Sequence, residues 1–174
     1  MEAIIINRIR LALVVTLALL AGCYRAPLHL DLVPDAFSMY KRGLPDAVDV
    51  EPVTGYNAET DKSGQKISNE VLRDALRDSL IKSRLFSNVT CDDHLSRYGL
   101  KAEIIYQGMV PGFNSLPLEM HIRYLLFDRI KGSPVWNQEI VSHSGSEWQV
   151  ISYQRVCRSN ILRLVQELSN LNYQ

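Results

Sequence analysis

The residues best able to do chemistry in this chain of 174 residues are three cysteines, four histidines and the carboxylates beside them. Cys91, Asp92, Asp93 and His94 are consecutive, but side chains of consecutive residues seldom converge on one metal ion. We therefore interpret this stretch as an ordinary loop and predict no metal site. The chain also has no nucleophile elbow, glycine-rich phosphate loop or His-Glu-x-x-His helix, so we predict no catalytic residue and no bound cofactor.

The first cysteine closes a three-part segment at the amino terminus. Two arginines precede an uncharged run over residues 11–20, which leads through Ala21 and Gly22 to Cys23. This is the layout of a secretory signal. The uncharged stretch ending at Gly22 has 12 residues, whereas a transmembrane helix needs about 20. We therefore expect the segment to direct export and not to remain as a membrane span.

The sequence Leu20-Ala21-Gly22-Cys23 resembles the lipobox of bacterial lipoproteins. The resemblance implies that the Cys23 thiol receives a diacylglyceryl group, that signal peptidase II cuts between Gly22 and Cys23, and that the new amine is acylated. Each buried methylene contributes about 0.8 kcal/mol and one acyl chain binds only marginally, so two or three chains give lasting attachment. The alternative is an ordinary signal peptide or an uncleaved anchor in which Cys23 is incidental.

Cys91 and Cys157 are the two thiols that remain after lipidation. An even pair of cysteines in an oxidising compartment is able to form a disulfide. That bond would close a loop of about 65 residues and stabilise the domain by about 4 kcal/mol on the chain-entropy model. The alternative is two separate thiols, with Cys157 as a small core residue of a helix, and the sequence leaves both arrangements open.

An apolar connection joins two predicted strands at residues 108–116. A connection exposed to water seldom concentrates side chains such as Met109, Val110, Phe113 and Leu116. These side chains either contact a protein partner, a lipid tail or the membrane surface, or fold back over one end of the core.

The spacing of apolar residues predicts the element order β-α-β-β-β-β-α. Helical spacing covers residues 68–83 and about 147–171, and strand alternation covers 47–51, a short stretch near 89, 98–107, 116–128 and 135–142. Both long strands have one apolar and one polar face, which is typical of an antiparallel sheet covered on one side. We therefore predict an α/β fold of the α+β type, a two-layer sandwich with a mostly antiparallel sheet and two helices on one face.

The same patterns divide the chain into three parts. We expect a signal peptide over residues 1–22, a lipidated amino terminus and tether over 23–45, and one globular domain over 46–174. The 19 Lys and Arg residues balance the 19 Asp and Glu residues. Nucleic-acid binding is excluded, because it needs a basic surplus.

These inferences point to a lipid-anchored protein of the cell envelope. It resembles, in its lipobox and its order of elements, the small α/β lipoproteins that assist outer-membrane assembly and transport machines. The expected role is that of a non-enzymatic accessory or binding subunit, with an envelope protein as partner and the membrane bound through the acyl chains on Cys23. In the sorting rule of enteric bacteria an aspartate after the cysteine retains the protein in the inner membrane, so Tyr24 favours the periplasmic face of the outer membrane. The alternatives are a periplasmic carrier of a lipid or other apolar ligand, and an envelope hydrolase whose reactive groups meet only in three dimensions.

Overall fold

A computed structural model describes residues 29–35, 37, 44, 46–56, 66–109, 118–144 and 153–171. The strands are β1 (Val48–Val50), β2 (Val89–Thr90), β3 (Tyr98–Met109), β4 (Leu118–Asp128) and β5 (Ser133–His143), and the helices are α1 (Asn69–Ser83) and α2 (Tyr153–Ser169). The predicted order of elements and the predicted α+β sandwich are confirmed. Among the described residues, no helix is both long enough and apolar enough to cross a membrane.

The sheet has the strand order β2-β1-β3-β4-β5. The three long strands β3, β4 and β5 form a continuous antiparallel meander. In contrast, the short strand β1 pairs in parallel with both β2 and β3. Parallel neighbours need a crossover connection, and α1 supplies the one between β1 and β2. The sheet is therefore mostly antiparallel, as predicted, with a short parallel part at one side.

The core lies between one face of the sheet and the two helices. Alternate residues of the long strands are buried on that face, and the apolar stripes of the helices cover them. The fully buried strand residues include Tyr98, Leu100, Met120, Ile122, Tyr124 and Leu126, and the buried helix residues include Leu72, Leu76, Leu80, Ile161, Leu164 and Val165. Ser68 caps α1 by accepting a hydrogen bond from the Val71 N–H, at 3.3 Å.

A buried polar cluster ties α2 to the meander. The Tyr124 hydroxyl donates a hydrogen bond to Asn160 Oδ1 at 2.9 Å. Asn160 Nδ2 in turn donates to the Ile140 carbonyl at 2.7 Å and to Ser142 Oγ at 3.1 Å. Because Asn160 is fully buried, its amide has no water to replace these partners. The cluster therefore fixes the position of α2 over β4 and β5.

A short segment before β1 packs on both helices. It begins with a 3-10 helix over His29–Leu32 and continues to Asp35, and we call residues 29–35 the strap. Leu32 of the strap is fully buried. Arg158 of α2 donates to the Asp31 carbonyl at 2.6 Å, and Lys82 of α1 donates to the Pro34 carbonyl at 2.7 Å. The strap thus belongs to the globular domain, although it lies inside the 23–45 segment that we interpret from sequence as a tether.

Candidate functional site

The helices cover one side of the sheet, and we call the opposite side the open face. Its centre is built from polar side chains that alternate with the core residues along β3, β4 and β5. The strand register aligns them in cross-strand rows, of which the clearest contains Glu103, Arg123 and Glu139. Leu125 and Val141 lie on the same face as this row, so the open face combines charged and apolar side chains.

Arg123 stands between two carboxylates in that row. Its guanidinium lies 3.2 Å from Glu103 Oε2 and 3.8 Å from Glu139 Oε2. The Arg123 side chain is 50% exposed, and ion pairs as exposed as this contribute about 0–1 kcal/mol to stability. The row is therefore better suited to recognition than to holding the fold together.

His121 lies beside this row and also contacts two carboxylates. Its Nδ1 is 2.9 Å from Glu139 Oε1, and its Nε2 is 3.1 Å from Glu119 Oε1, within ion-pair distance but without hydrogen-bond orientation. The Tyr106 ring packs edge-on against the imidazole, at 5.6 Å between ring centroids. Burial alone lowers the pKa of His121, but the two carboxylates outweigh burial, so the net shift is upward.

The raised pKa of His121 predicts a pH-dependent contribution to stability. Because the pKa is higher in the folded than in the unfolded chain, the contribution is fully present below about pH 6.5 and is lost as the pH rises through the folded-state pKa. We expect His121→Gln to lower the free energy of unfolding more at about pH 5.5 than at about pH 8.5, by about 1 kcal/mol or less. Urea denaturation at both pH values measures this difference.

His143→Gln is the matched control for that experiment. His143 Nδ1 lies 3.4 Å from Glu119 Oε1, but the His143 side chain is 57% exposed. We expect this variant to lower the free energy of unfolding at about pH 5.5 by less than His121→Gln does, because the contact is exposed to solvent. A His121→Gln effect that is equal at both pH values, or larger at the higher one, would contradict the prediction.

A second ion-pair cluster lies on the open face where β1 meets β3. Arg129 follows β4 and extends across Gly99 to Asp49 Oδ2, at 2.9 Å, and to Glu51 Oε1, at 3.0 Å. A Cβ atom on Gly99 would lie 2.6 Å from Glu51 Oε1 and 3.3 Å from Arg129 Nε. Arg129 also donates to the Asp93 carbonyl at 3.0 Å. The absence of a side chain at residue 99 therefore lets one arginine join β1 to the loop before β3.

That loop contains the consecutive residues Cys91, Asp92, Asp93 and His94, and its carboxylates are occupied by local contacts. Asp92 pairs with Arg73 of α1 at 2.7 Å, while Asp93 Oδ1 accepts a hydrogen bond from the Leu95 N–H at 3.0 Å. Across all described ranges, no group of three or more His, Cys, Asp or Glu side chains is placed to hold a metal ion. These contacts order the loop.

A shallow groove of about 340 Å³ runs along β3 beside the irregular chain that follows β1. Glu51 and Thr54 line one side, and Lys101, Glu103 and Arg123 line the other. Lys101 Nζ lies 3.6 Å from Glu51 Oε2, so a charged pair spans the groove. Pro52, Ala102 and Leu125 also line the groove, so its lining combines charged and apolar side chains.

Comparison with known proteins finds similarity in fold. No protein-family model and no curated protein sequence matches the chain. Among solved structures, the PelC dodecamer from Paraburkholderia phytofirmans is 18% identical, covers 75% of this chain and 93% of its own, and has a TM-score of 0.55. Protein XCC0632 from Xanthomonas campestris, described as DUF330, is 11% identical, covers 79% and 88%, and has a TM-score of 0.55.

Lipoproteins occur among the solved structures that match. One is lipoprotein GNA1162 from Neisseria meningitidis, which is 10% identical, covers 73% of this chain and 100% of its own, and has a TM-score of 0.49. Identities this low show a shared fold and no more. The PelC and XCC0632 structures, each with a TM-score of 0.55, show that other bacterial proteins have the arrangement of this domain.

The residues predicted for lipidation and for partner contact are described only in part. Gly22 and Cys23 lie outside the described residues, as do Val110, Phe113 and Leu116. Met109 ends β3 with 52% of its surface exposed, and its carbonyl accepts a hydrogen bond from the Tyr106 hydroxyl at 2.6 Å. A role for this connection in contacting a partner stays a prediction.

Cys91 and Cys157 are free thiols in the structure. Cys157 is fully buried on α2, and burial raises the pKa of its thiol to about 12. Cys91 is half-buried, and burial raises the pKa of this thiol more than Arg73 and Arg77 lower it. Of the two arrangements that the sequence leaves open, the structure has the separate thiols.

Thiol labelling distinguishes the two arrangements in solution. We expect a maleimide to modify Cys91 slowly in the folded protein and Cys157 only after unfolding, because a thiolate must form and be reached by the reagent. The unreduced, denatured mature protein should show both thiols, and the Cys91→Ser variant should lose the reaction of the folded state. Absence of free thiol in the unreduced, denatured protein would instead indicate a disulfide.

The cluster of His121, His143 and Glu119 is not evident from the sequence, where the histidines look scattered. The structure brings them together because β4 and β5 pair with Glu119 directly opposite His143. The two-residue spacing that places Glu119 and His121 on one strand face is visible in the sequence. The register of the hairpin is not visible in the sequence, because a bulge shifts the pairing after Leu126.

Proposed function

We propose that this chain is a lipid-anchored protein of the bacterial cell envelope, which acts as a non-enzymatic accessory or binding subunit of an assembly or transport system. The location that we propose is the periplasmic face of the outer membrane. The observation that carries the binding role is the open face of the sheet. The anchor is supported by the amino-terminal sequence, in which a short uncharged run ends in Leu20-Ala21-Gly22-Cys23 and is followed by Tyr24.

The open face supports binding through its charge and its geometry. Its strands are 11 or 12 residues long, so it offers an extended and rigid surface. Five carboxylates and three basic side chains give it a net charge of −2 with neutral histidines: Asp49, Glu51, Glu103, Glu119 and Glu139 against Lys101, Arg123 and Arg129. Complementary charge steers association and sets specificity, so the preferred partner presents a basic surface.

The interior supports a binding role over that of a carrier. A carrier needs an apolar cavity of about 300 Å³ or more. The space between sheet and helices is occupied by large side chains with no exposed surface, such as Tyr98, Tyr124 and Met120. Four charged side chains, Glu51, Lys101, Glu103 and Arg123, line the groove on the open face, and an apolar ligand would have to desolvate them.

Mass spectrometry of the protein from its native membrane tests the anchor. We expect the mature chain to begin at Cys23 and to carry a diacylglyceryl group and an amide-linked acyl chain. Cys23→Ser is the control, because it removes the sulfur atom and keeps the size of the side chain. An unmodified amino terminus that still includes residues 1–22 would overturn this part of the proposal.

Photo-crosslinking in cells tests the open face as the binding surface. A photoreactive amino acid at Asn137, which is exposed on β5, should give a defined crosslinked protein, while the same amino acid at Ser159 on α2 should not. Glu103→Lys should weaken the product, because it replaces an exposed acidic side chain of the row with a basic one that repels a basic partner. Both a different envelope protein and a second copy of this chain would support the proposal, since PelC is described as a dodecamer. Equal crosslinking from both positions, or none from Asn137, would overturn it.

A further inference from the structure

The strap determines where the domain is attached to its anchor. Its 3-10 helix packs on α1 and on α2, and among the described elements it has no comparable set of contacts with a strand of the sheet. His29, the first residue of the strap, has Nε2 at 3.3 Å from Asp78 Oδ2 of α1. The chain that leads to the anchor therefore leaves the domain from the helical layer, which we define as α1, α2 and the strap.

The connection from the strap to Cys23 is short. His29 is the sixth residue after Cys23, and six steps of fully extended chain span at most about 21 Å. If the chain were docked only from β1 onward, about 25 residues would be available and the domain would be able to turn freely. With the strap docked, the helical layer is held close to the lipid, and the open face lies on the far side of two layers.

Charge favours the same orientation. The helical layer carries six basic and six acidic side chains: Arg73, Arg77, Lys82, Arg155, Arg158 and Arg163 against Asp31, Asp35, Glu70, Asp74, Asp78 and Glu167. The open face has a net charge of −2. Anionic lipids repel an acidic face within about a Debye length, so the bilayer tolerates the balanced helical layer better than the open face.

From this geometry we infer that the helical layer rests against an anionic bilayer surface and that the strap holds it there, with the open face directed away from the lipid. The inference rests on the proposed lipidation of Cys23. Beyond the proposed function, the inference assigns the helical layer as the membrane-contacting surface. The proposed partner would then bind the open face, on the opposite side of the domain.

Energy transfer from the domain to the membrane tests the orientation. The lipidated mature protein is reconstituted into phosphatidylethanolamine–phosphatidylglycerol vesicles that contain an acceptor-labelled lipid. A donor dye is attached to Ser159→Cys on the helical layer or to Asn137→Cys on the open face, both exposed positions, in a Cys91→Ser background. We expect clearly higher transfer from residue 159 than from residue 137. Equal transfer, or higher transfer from residue 137, would overturn the inference.

Two further variants test the role of the strap. Inserting about twelve Gly and Ser residues between Ala26 and Pro27 lengthens the tether and leaves the strap intact, so the difference in transfer should shrink without a loss of stability. Leu32→Asp should undock the strap and shrink the difference as well, with circular dichroism reporting whether the domain is folded. A lengthened tether that leaves the difference unchanged would overturn the role of the strap.

Flotation separates failure of this inference from failure of the proposed function. Wild-type protein should float with the vesicles, and the Cys23→Ser variant should not. If the wild-type protein from its native membrane lacks acyl chains and does not float, both proposals are overturned. If it floats but residues 159 and 137 transfer equally, only the orientation is overturned.

Discussion

Arg129→Ala is expected to lower the free energy of unfolding by about 3–5 kcal/mol, the cost of breaking a buried ion pair by removing one partner. The Asp49 side chain is 1% exposed, and Arg129 Nη2 lies 2.9 Å from its Oδ2. Among the described residues, the Asp93 N–H also donates a hydrogen bond to Asp49 Oδ1, at 3.2 Å. Without Arg129 the buried Asp49 carboxylate would therefore lose its ion-pair partner.

Urea denaturation followed by circular dichroism measures this effect. Arg123→Ala is the matched control, because Arg123 also pairs with carboxylates on the open face but is half exposed, and its expected cost is below about 1 kcal/mol. Asp49→Asn in the Arg129→Ala background should recover part of the loss, because it removes the uncompensated charge. Similar losses of unfolding free energy for Arg129→Ala and Arg123→Ala would show that the buried ion pair contributes no more to stability than the exposed one.

Asn160→Ala is expected to lower the free energy of unfolding by about 2–4 kcal/mol. The substitution removes the acceptor of the Tyr124 hydroxyl and the side-chain donor of the Ile140 carbonyl, and both contacts are buried. It also leaves a small cavity beneath α2. Since Asn160 joins α2 to two strands, its loss should affect the packing of that helix most.

Two variants act as controls for Asn160→Ala in the same denaturation assay. Ser159→Ala changes the neighbouring, exposed residue and should shift stability by no more than about 0.5 kcal/mol. Tyr124→Phe removes the hydroxyl but keeps the two bonds that Asn160 donates, so its cost should be smaller, about 1–2 kcal/mol. An Asn160→Ala variant as stable as Ser159→Ala would contradict the proposed role of the cluster.

Local periodicity accounts for the parts of the fold that sequence reasoning predicts well. In β4, for example, Met120, Ile122, Tyr124 and Leu126 alternate with polar or half-buried residues, and all four are fully buried. The stripe on α2 similarly places Cys157, Ile161 and Leu164 in the core. Such patterns depend on residues a few positions apart, so they can be recognised in the sequence of that segment alone.

Long-range placement accounts for what the sequence does not show. Val48 pairs with Tyr98 and with Val89, but nothing within β1 indicates either partner or a parallel direction. Leu32 belongs to the core, although Pro27, Pro34 and Pro45 around it are typical of a linker. The His121 and Glu119 cluster of the candidate site depends on the hairpin register in the same way. In each case the residue that a side chain or strand contacts is distant in sequence, or the pairing register of the two strands cannot be predicted from either strand alone.

The place of β1 in the sheet has a consequence for how the chain acquires its structure. Among the described residues β1 is the first strand from the amino terminus, yet it lies between β2 and β3. These neighbours begin about 40 and about 50 residues after β1 ends, so β1 stays unpaired in the sheet until they have emerged. The meander β3-β4-β5 needs only nearby segments, and its loops are the less costly ones to close. Folding should therefore begin in the carboxyl-terminal half, and insertion of β1 should be the late, slow step.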